Sequence, residues 1–380
     1  MSKKPVILFQ RVLPSYRVPM FRYLYNDLNI LVCHSKPPRF GKIASNLEKV
    51  DYPVESVGRF YFLQKETAVI QNVFKPLFKY RPEVVISPAS LLYGTTWLLL
   101  LMRPFFKYKL ILWGHGIKNT DSETPFKGIR GKVTKWLFNR SDALLLYSKQ
   151  RKLMMEKAVS TPVFVAVNTL DTHSFAATLN DLKKTGRDKI KNEVGFKTHF
   201  NIIYIGRLLP AKRLDLLLES FSLLPKHLDV TLHIVGDGSE MALIKAYQQD
   251  SDNIITYGSI YNDKETAKLL FSSDIMVIPG YVGLSIVHAF SFGVPLITSK
   301  TSSNGPAHSP EIEFFKHNEN GLYCESNPQS ISDTLVELFG DKQKLQSMKE
   351  AALTTADEKA NIEKFIEGFD RAIQYCQTNT

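Results

Sequence analysis

The feature that most limits the fold of this 380-residue chain is a repeated alternation of two patterns. Short apolar runs rich in β-branched residues recur between longer stretches with helical spacing. In the first half the runs are "VILFQ" (6–10), "NILVCHS" (29–35), "EVVISP" (83–88), "KLILWG" (109–114), "ALLLYS" (143–148) and "VFVAV" (163–167). In the second they are "NIIYIG" (201–206), "VTLHIVG" (230–236), "NIITYG" (253–258), "IMVIP" (275–279) and "PLIT" (295–298). Near-continuous apolar strands separated by helices predict parallel sheets covered on both faces, an α/β architecture. The length suits two domains of roughly 150 to 200 residues each.

The polar, lysine-rich stretch from Asp171 to Phe200 reads as the linker and the start of the second domain. The expected division is residues 1–175, 176–357, and a terminal helix, 358–380, packing back toward the first domain. The greasiest run, "LLYGTTWLLLLM" (91–102), falls short of the roughly 20 residues a membrane span needs and predicts a buried helix. The start "MSKKPVILFQ" has no signal-peptide h-region. Three scattered cysteines, Cys33, Cys324 and Cys376, argue against a disulfide framework or a cysteine metal site and for a reducing, cytoplasmic setting.

Charge is unevenly spread. Residues 1–175 hold 27 Lys and Arg against 11 Asp and Glu, whereas the remainder is net acidic within a total of +11. A basic first half implies an anionic partner, and "FKYRPE", "RPFFKYK" and "FKGIRGKVTKW" interleave cations with aromatics as interfacial surfaces do. The expectation is peripheral contact with the inner face of the cytoplasmic membrane. With no recognition helix, zinc spacing or RNP-like run, no nucleic-acid partner is expected.

In open α/β sheets ligands sit beyond the carboxyl ends of strands, so the turns after strands are where chemistry belongs. "YIGRLLPAKR" places Gly206, Arg207, Lys212 and Arg213 around one such turn, a concentration of cations suited to phosphate. "VGDGSE" puts Asp237 between two glycines that let backbone approach a ligand. "WGHG" sets His115 between glycines at another strand end, placed to hydrogen-bond a substrate hydroxyl. In "IPGYVGLSIVHAFSFGVPLIT" (278–298), Gly280 and Gly283 permit close approach, Leu284 and Ser285 offer free amides, and His288 lies one turn into a helix.

Taken in order, "LPSYRVPMF", "WGHG", "GRLLPAKR", "VGDG", "YGSI", "PGYVGLSIVHAFSFGVPLIT" and "HSPEIE…NENGLYCE" resemble the retaining GT-B glycosyltransferases of family 4. The resemblance implies two Rossmann-like parallel-sheet domains facing an interdomain cleft. It implies transfer of a sugar, with retention, from a UDP- or GDP-linked donor to a lipid-linked or saccharide acceptor, with no obligatory metal or other cofactor. By position, Arg207 and Lys212 would bind the donor diphosphate, His115 the donor sugar, and backbone at Ser259 and Ile260 the base. Gly283, Leu284 and Ser285 would lie at the phosphates and sugar.

The two glutamates that relatives carry eight positions apart fall here on Gly280 and His288. His288 would then meet the ribose, and Glu311 would supply a carboxylate from a neighbouring loop. Tyr16 and Arg17, in the loop after the first strand, are the expected acceptor contacts. A non-catalytic sugar-nucleotide-binding protein, or a same-fold epimerase or phosphorylase, is the alternative reading. "DSDN" (250–253) precedes a strand and reads as a turn, not as a D-x-D metal motif.

Overall fold

The computed structural model describes residues 4–37, 50–62, 68–116, 126–301 and 305–378. They form two units, residues 1–170 with 362–380, and residues 171–361. The division falls a few residues before the expected boundary, and the terminal helix belongs to the first unit.

In unit 1, strands β1 (Val6–Gln10), β2 (Ile30–His34), β3 (Val54–Ser56), β6 (Val84–Pro88), β7 (Lys109–Gly114), β8 (Ala143–Leu146) and β9 (Val163–Val165) form one sheet. Its order is β3-β2-β1-β6-β7-β8-β9, every pair parallel. Strands β4 (Arg59–Phe62) and β5 (Ala68–Gln71) make a separate antiparallel pair. The two-residue period of a strand divides the core. Val6 and Leu8 face one cluster, and Ile7 and Phe9 the other.

Helix α1 (Val18–Leu28) covers the first face together with the C-terminal helix Ile362–Thr378. Gly368 in that helix is needed by contact: a Cβ there would lie 2.1 Å from the Val165 carbonyl oxygen. Helices α2 (Phe74–Tyr80), α3 (Gly94–Phe106), α4 (Gly128–Phe138) and α5 (Lys149–Glu156) cover the second face through Leu77, Leu99, Leu137, Phe138 and Met155. Helix α3 departs from expectation. Only Thr95, Thr96 and Leu99 are buried, so this apolar segment is not a core helix but a half-exposed one.

Unit 2 opens with helices α6 (Thr172–Thr185) and α7 (Arg187–Glu193), where the sequence suggested a linker. Phe175, Leu179 and Leu182 recur at helical spacing and are buried, and the Asp171 carboxylate caps the amide of Ser174. The lysines on the opposite face masked that stripe.

Strands β10 (Phe200–Ile205), β11 (Val230–Val235), β12 (Ile254–Gly258), β13 (Ile275–Val277), β14 (Leu296–Ser299) and β15 (Gly321–Cys324) form the second parallel sheet, in the order β12-β11-β10-β13-β14-β15. Helices α8 (Leu214–Ser222), α9 (Met241–Gln248), α10 (Asp263–Ser272), α11 (Ser285–Ser291), α12 (Pro328–Gly340) and α13 (Lys342–Glu358) complete the unit. At the amino edge, the buried Asp274 carboxylate accepts from Arg187 and from Lys349, each at 2.7 Å, and from the amide of Asn201. These bonds tie α7, α13, β10 and β13 together. Being remote from the carboxyl edge, they are architecture. No helix among the described residues is long and apolar enough to cross a membrane.

Candidate functional site

The order of the second sheet reverses between β10 and β13, its topological switch point, and in sheets of this kind ligands bind beyond the carboxyl ends of the strands at that point. The turn after β10 supplies Gly206, Arg207 and Lys212; the turn after β13 supplies Gly280 to Ser285. Asp237 follows β11, and Ser259 and Ile260 follow β12. One sheet edge therefore gathers these sequence-selected residues of the second unit.

Arg207 is exposed and, among the described residues, its guanidinium has no hydrogen-bond or ion-pair partner. Lys212 ends a short 3₁₀ turn (Pro210–Lys212) and is half-buried. Its ammonium donates to the Tyr281 carbonyl at 2.6 Å and stands 5.1 Å from the centre of that residue's ring. Burial, reinforced by the Arg207 charge and opposed by Glu311, lowers its pKa to about 8. A lysine so placed gains from an incoming anion. Glu311, 2% exposed, lies in the turn Pro310–Phe314. Arg213 does not share this role, because its side chain is held by Asp215 at 2.9 to 3.0 Å.

Three glycines chosen for ligand approach serve the chain itself. A Cβ at Gly236 would lie 1.9 Å from the Gly206 carbonyl oxygen, and one at Gly238 would lie 2.2 Å from that of Leu208. At Gly280 it would lie 2.3 Å from the Ala211 oxygen. Backbone bonds from Leu208 to Asp237, Gly280 to Lys212 and Tyr281 to Ala211 lock the three turns together. The glycines thus set where Arg207 and Lys212 stand. Gly283 differs, for only the Tyr281 ring, 3.6 Å away, would meet its Cβ.

Asp237 is exposed, and its carboxylate accepts from the amide of Gly238; it does not cap α9. Ser259 is exposed and Ile260 half-buried beyond the edge strand β12. In α11, Ser285 Oγ and His288 Nε2 are buried polar atoms with no hydrogen-bond partner among the described residues. The His288 ring stacks on Phe175 at 4.6 Å, and burial lowers its pKa to about 4, so it is neutral at physiological pH. The expectation that His288 meets a ribose is qualified to this extent: one face of its ring is covered by Phe175, and Nε2 is left without a partner among the described residues.

Sequence reasoning missed Phe175, Tyr281 and His308. His308 Nδ1 accepts from the Val282 amide and Nε2 donates to the Ser299 carbonyl, fixing the 279–285 turn against β14. The signal for Tyr281 was its place one residue after Gly280; Phe175 carried none, being distant in sequence.

In unit 1, His115 is exposed beyond β7 and meets the Tyr147 ring edge-on at 4.7 Å. The chain following Gly116, residues 117–125, lies outside the described residues. Tyr16 is exposed, but Arg17 is 7% exposed and does not present its guanidinium to solvent. It donates to Tyr147 Oη at 3.2 Å and Asn168 Oδ1 at 3.1 Å, and lies 4.6 Å from the Trp113 ring. The expected anion or acceptor contact is instead a cation held among aromatic rings.

With this geometry in view, residues 186–355 match the family model described as glycosyl transferases group 1. Among curated proteins, the chain is similar to the N-acetyl-alpha-D-glucosaminyl L-malate synthase of Bacillus anthracis, 25% identical over 49% of each chain. It is also similar to the O-antigen biosynthesis glycosyltransferase WbnH of Escherichia coli, 24% identical over 63% of each. The matches thus span about half to under two thirds of these relatives.

Among solved structures, a glycosyltransferase from Rickettsia africae has a TM-score of 0.74 at 16% identity, with complete coverage of both chains. Anabaena HepE, solved with UDP, has 0.69 at 16% identity, covering 98% of this chain and 99% of that one. Two all-parallel sheets and these likenesses define the GT-B fold, and the second unit carries the stretch, residues 186–355, that matches the group 1 glycosyl transferase model.

Proposed function

We propose that the chain is a retaining, metal-independent glycosyltransferase. It moves a sugar from a UDP- or GDP-linked donor to a lipid-linked or saccharide acceptor, in the synthesis of a surface polysaccharide such as exopolysaccharide, capsule or O-antigen. The observation that carries this reading is the pair Arg207 and Lys212 at the switch point, an exposed cation with no partner among the described residues beside a half-buried one. A diphosphate gains negative charge as the glycosidic bond breaks. Fixed cations at that position lower the barrier because they attract the departing group more strongly than the bound substrate. The orphaned Ser285 Oγ and His288 Nε2 support it, since buried polar atoms of this kind are satisfied by ligand or water.

The likeness to HepE, solved with UDP and with UDP-glucose, and to an O-antigen glycosyltransferase supports the donor and pathway assignments. The acceptor hydroxyl attacks from the face the diphosphate leaves. His115 is assigned to the donor sugar, and Gly283, Leu284 and Ser285 to phosphate and sugar oxygens.

The test is release of UDP or GDP from a panel of nucleotide sugars by purified protein, with and without a metal chelator. Chelator-insensitive turnover that falls in Arg207→Ala supports the proposal. Tight nucleotide-sugar binding with no turnover on any acceptor overturns the catalytic claim and leaves the binding-protein reading.

A further inference from the structure

We propose that the outward face of α2, α3 and α4 in unit 1 is a docking surface for an anionic lipid bilayer. These helices bury one side against the same face of the first sheet, so their other sides form one continuous layer. Ring contacts stitch the layer together: Phe78 meets Phe106 at 4.9 Å, and Trp97 stacks on Trp136 at 6.1 Å. Large apolar side chains stand out of it into solvent, Phe78 and Leu101 each 65% exposed, Phe105 75%, Ile129 83% and Trp136 47%.

They are arranged, not scattered. Leu101 and Phe105 are one helical turn apart on α3, and Ile129, Val133 and Trp136 form a stripe along α4 that faces away from the core. A soluble helix usually turns such a stripe inward.

Charge identifies the occupant. Residues 74–81, 94–107 and 126–140, which build the layer, contain ten Lys and Arg and no Asp or Glu. Lys75 and Lys79 are matched by Glu55 and Arg103 by Asp142, leaving exposed Lys107, Arg130, Lys132 and Lys135 around the apolar stripes with no carboxylate partner among the described residues. Exposed aliphatic and aromatic groups ringed by cations match an interface where rings and methyls enter the acyl boundary while ammonium and guanidinium groups meet lipid phosphates. A second copy of the chain would bring like charges together. A nucleic acid would leave Ile129 and Leu101 without a role. The proposal rests on unit 1 alone and not on the transferase reading.

The test is co-sedimentation of the full chain with vesicles of phosphatidylcholine alone and of phosphatidylcholine mixed with phosphatidylglycerol. Binding confined to the anionic vesicles and weakened by salt is expected. Lys132→Glu with Lys135→Glu should reduce the partition coefficient tenfold or more, given about 1 kcal/mol per basic residue at such a surface. Tryptophan emission should shift to the blue on anionic vesicles, and Trp136→Phe should remove most of that shift while retaining binding.

Equal pelleting on both vesicle types, or a Lys132→Glu, Lys135→Glu variant that pellets like the parent, would overturn the proposal. So would sedimentation velocity showing a dimer that the double charge reversal dissolves. Thermal shift by UDP and GDP, measured on the same variants, should be unchanged. Its loss alone would count against the nucleotide reading and not against this one.

Discussion

The carboxyl edges of the two sheets use the same topology to opposite electrostatic ends. Each sheet reverses its strand order once, between β1 and β6 in unit 1 and between β10 and β13 in unit 2, and each has an arginine in the turn after the first of those strands. In unit 2, Arg207 stands exposed with no partner among the described residues, beside a lysine whose pKa is lowered to about 8. In unit 1, Arg17 is enclosed by Trp113, Tyr147 and Asn168. A buried cation whose hydrogen bonds are met by the protein organises a core; one left unmet is available to a ligand. The neighbours of the arginine, not its place in the fold, decide which it becomes.

The largest expected effect lies in unit 2. Arg207→Ala should lower sugar-transfer turnover by roughly 10²-fold to 10³-fold, the loss typical of one charge-stabilising donor. Because the side chain is exposed, its melting temperature should barely move. Arg17→Ala should invert that pattern. Removing a caged guanidinium takes away its hydrogen bonds to Tyr147 and Asn168 and opens a void beside Trp113, costing about 3 kcal/mol in chemical denaturation, with nucleotide affinity unchanged. An Arg17→Ala protein of parental stability would break the comparison.

Gly280→Ala tests the link between backbone packing and the cations. Its Cβ meets the 211–212 backbone, so a loss of about 1 to 3 kcal/mol is expected, together with weakened UDP or GDP binding as Lys212 is displaced. The smallest effect is on pH dependence. Since burial and Arg207 lower the pKa of Lys212 to about 8, bound diphosphate must raise it again, and binding takes up a proton above that pH. Affinity should therefore hold steady below pH 8 and fall above it, by up to tenfold per unit, and Lys212→Arg should flatten the profile.

The parallel sheets were legible in the sequence because buried strands are continuous apolar runs. Those at 6–10 and 109–114 match residue for residue. The strands it concealed are β3, β4, β5 and β15, each only three or four residues long, and one of them, Arg59–Phe62, is also partly exposed. The cations at 207 and 212 were legible because a turn after a strand is a local event. The roles of Gly236, Gly238 and Gly280 were not, since a glycine reports that something comes close without saying whether it is ligand or chain. Burial of Arg17 and stacking of His288 on Phe175 depend on partners 96 to 151 residues away, beyond the reach of spacing arguments.

The central claim is tested most directly by calorimetric titration of UDP, GDP and the bare nucleosides into the parent chain and the Arg207→Ala, Lys212→Ala double variant. The account predicts that one diphosphate binds the parent far more tightly than its nucleoside and that the double variant loses that difference. A double variant that binds the diphosphate as tightly as the parent does would contradict it.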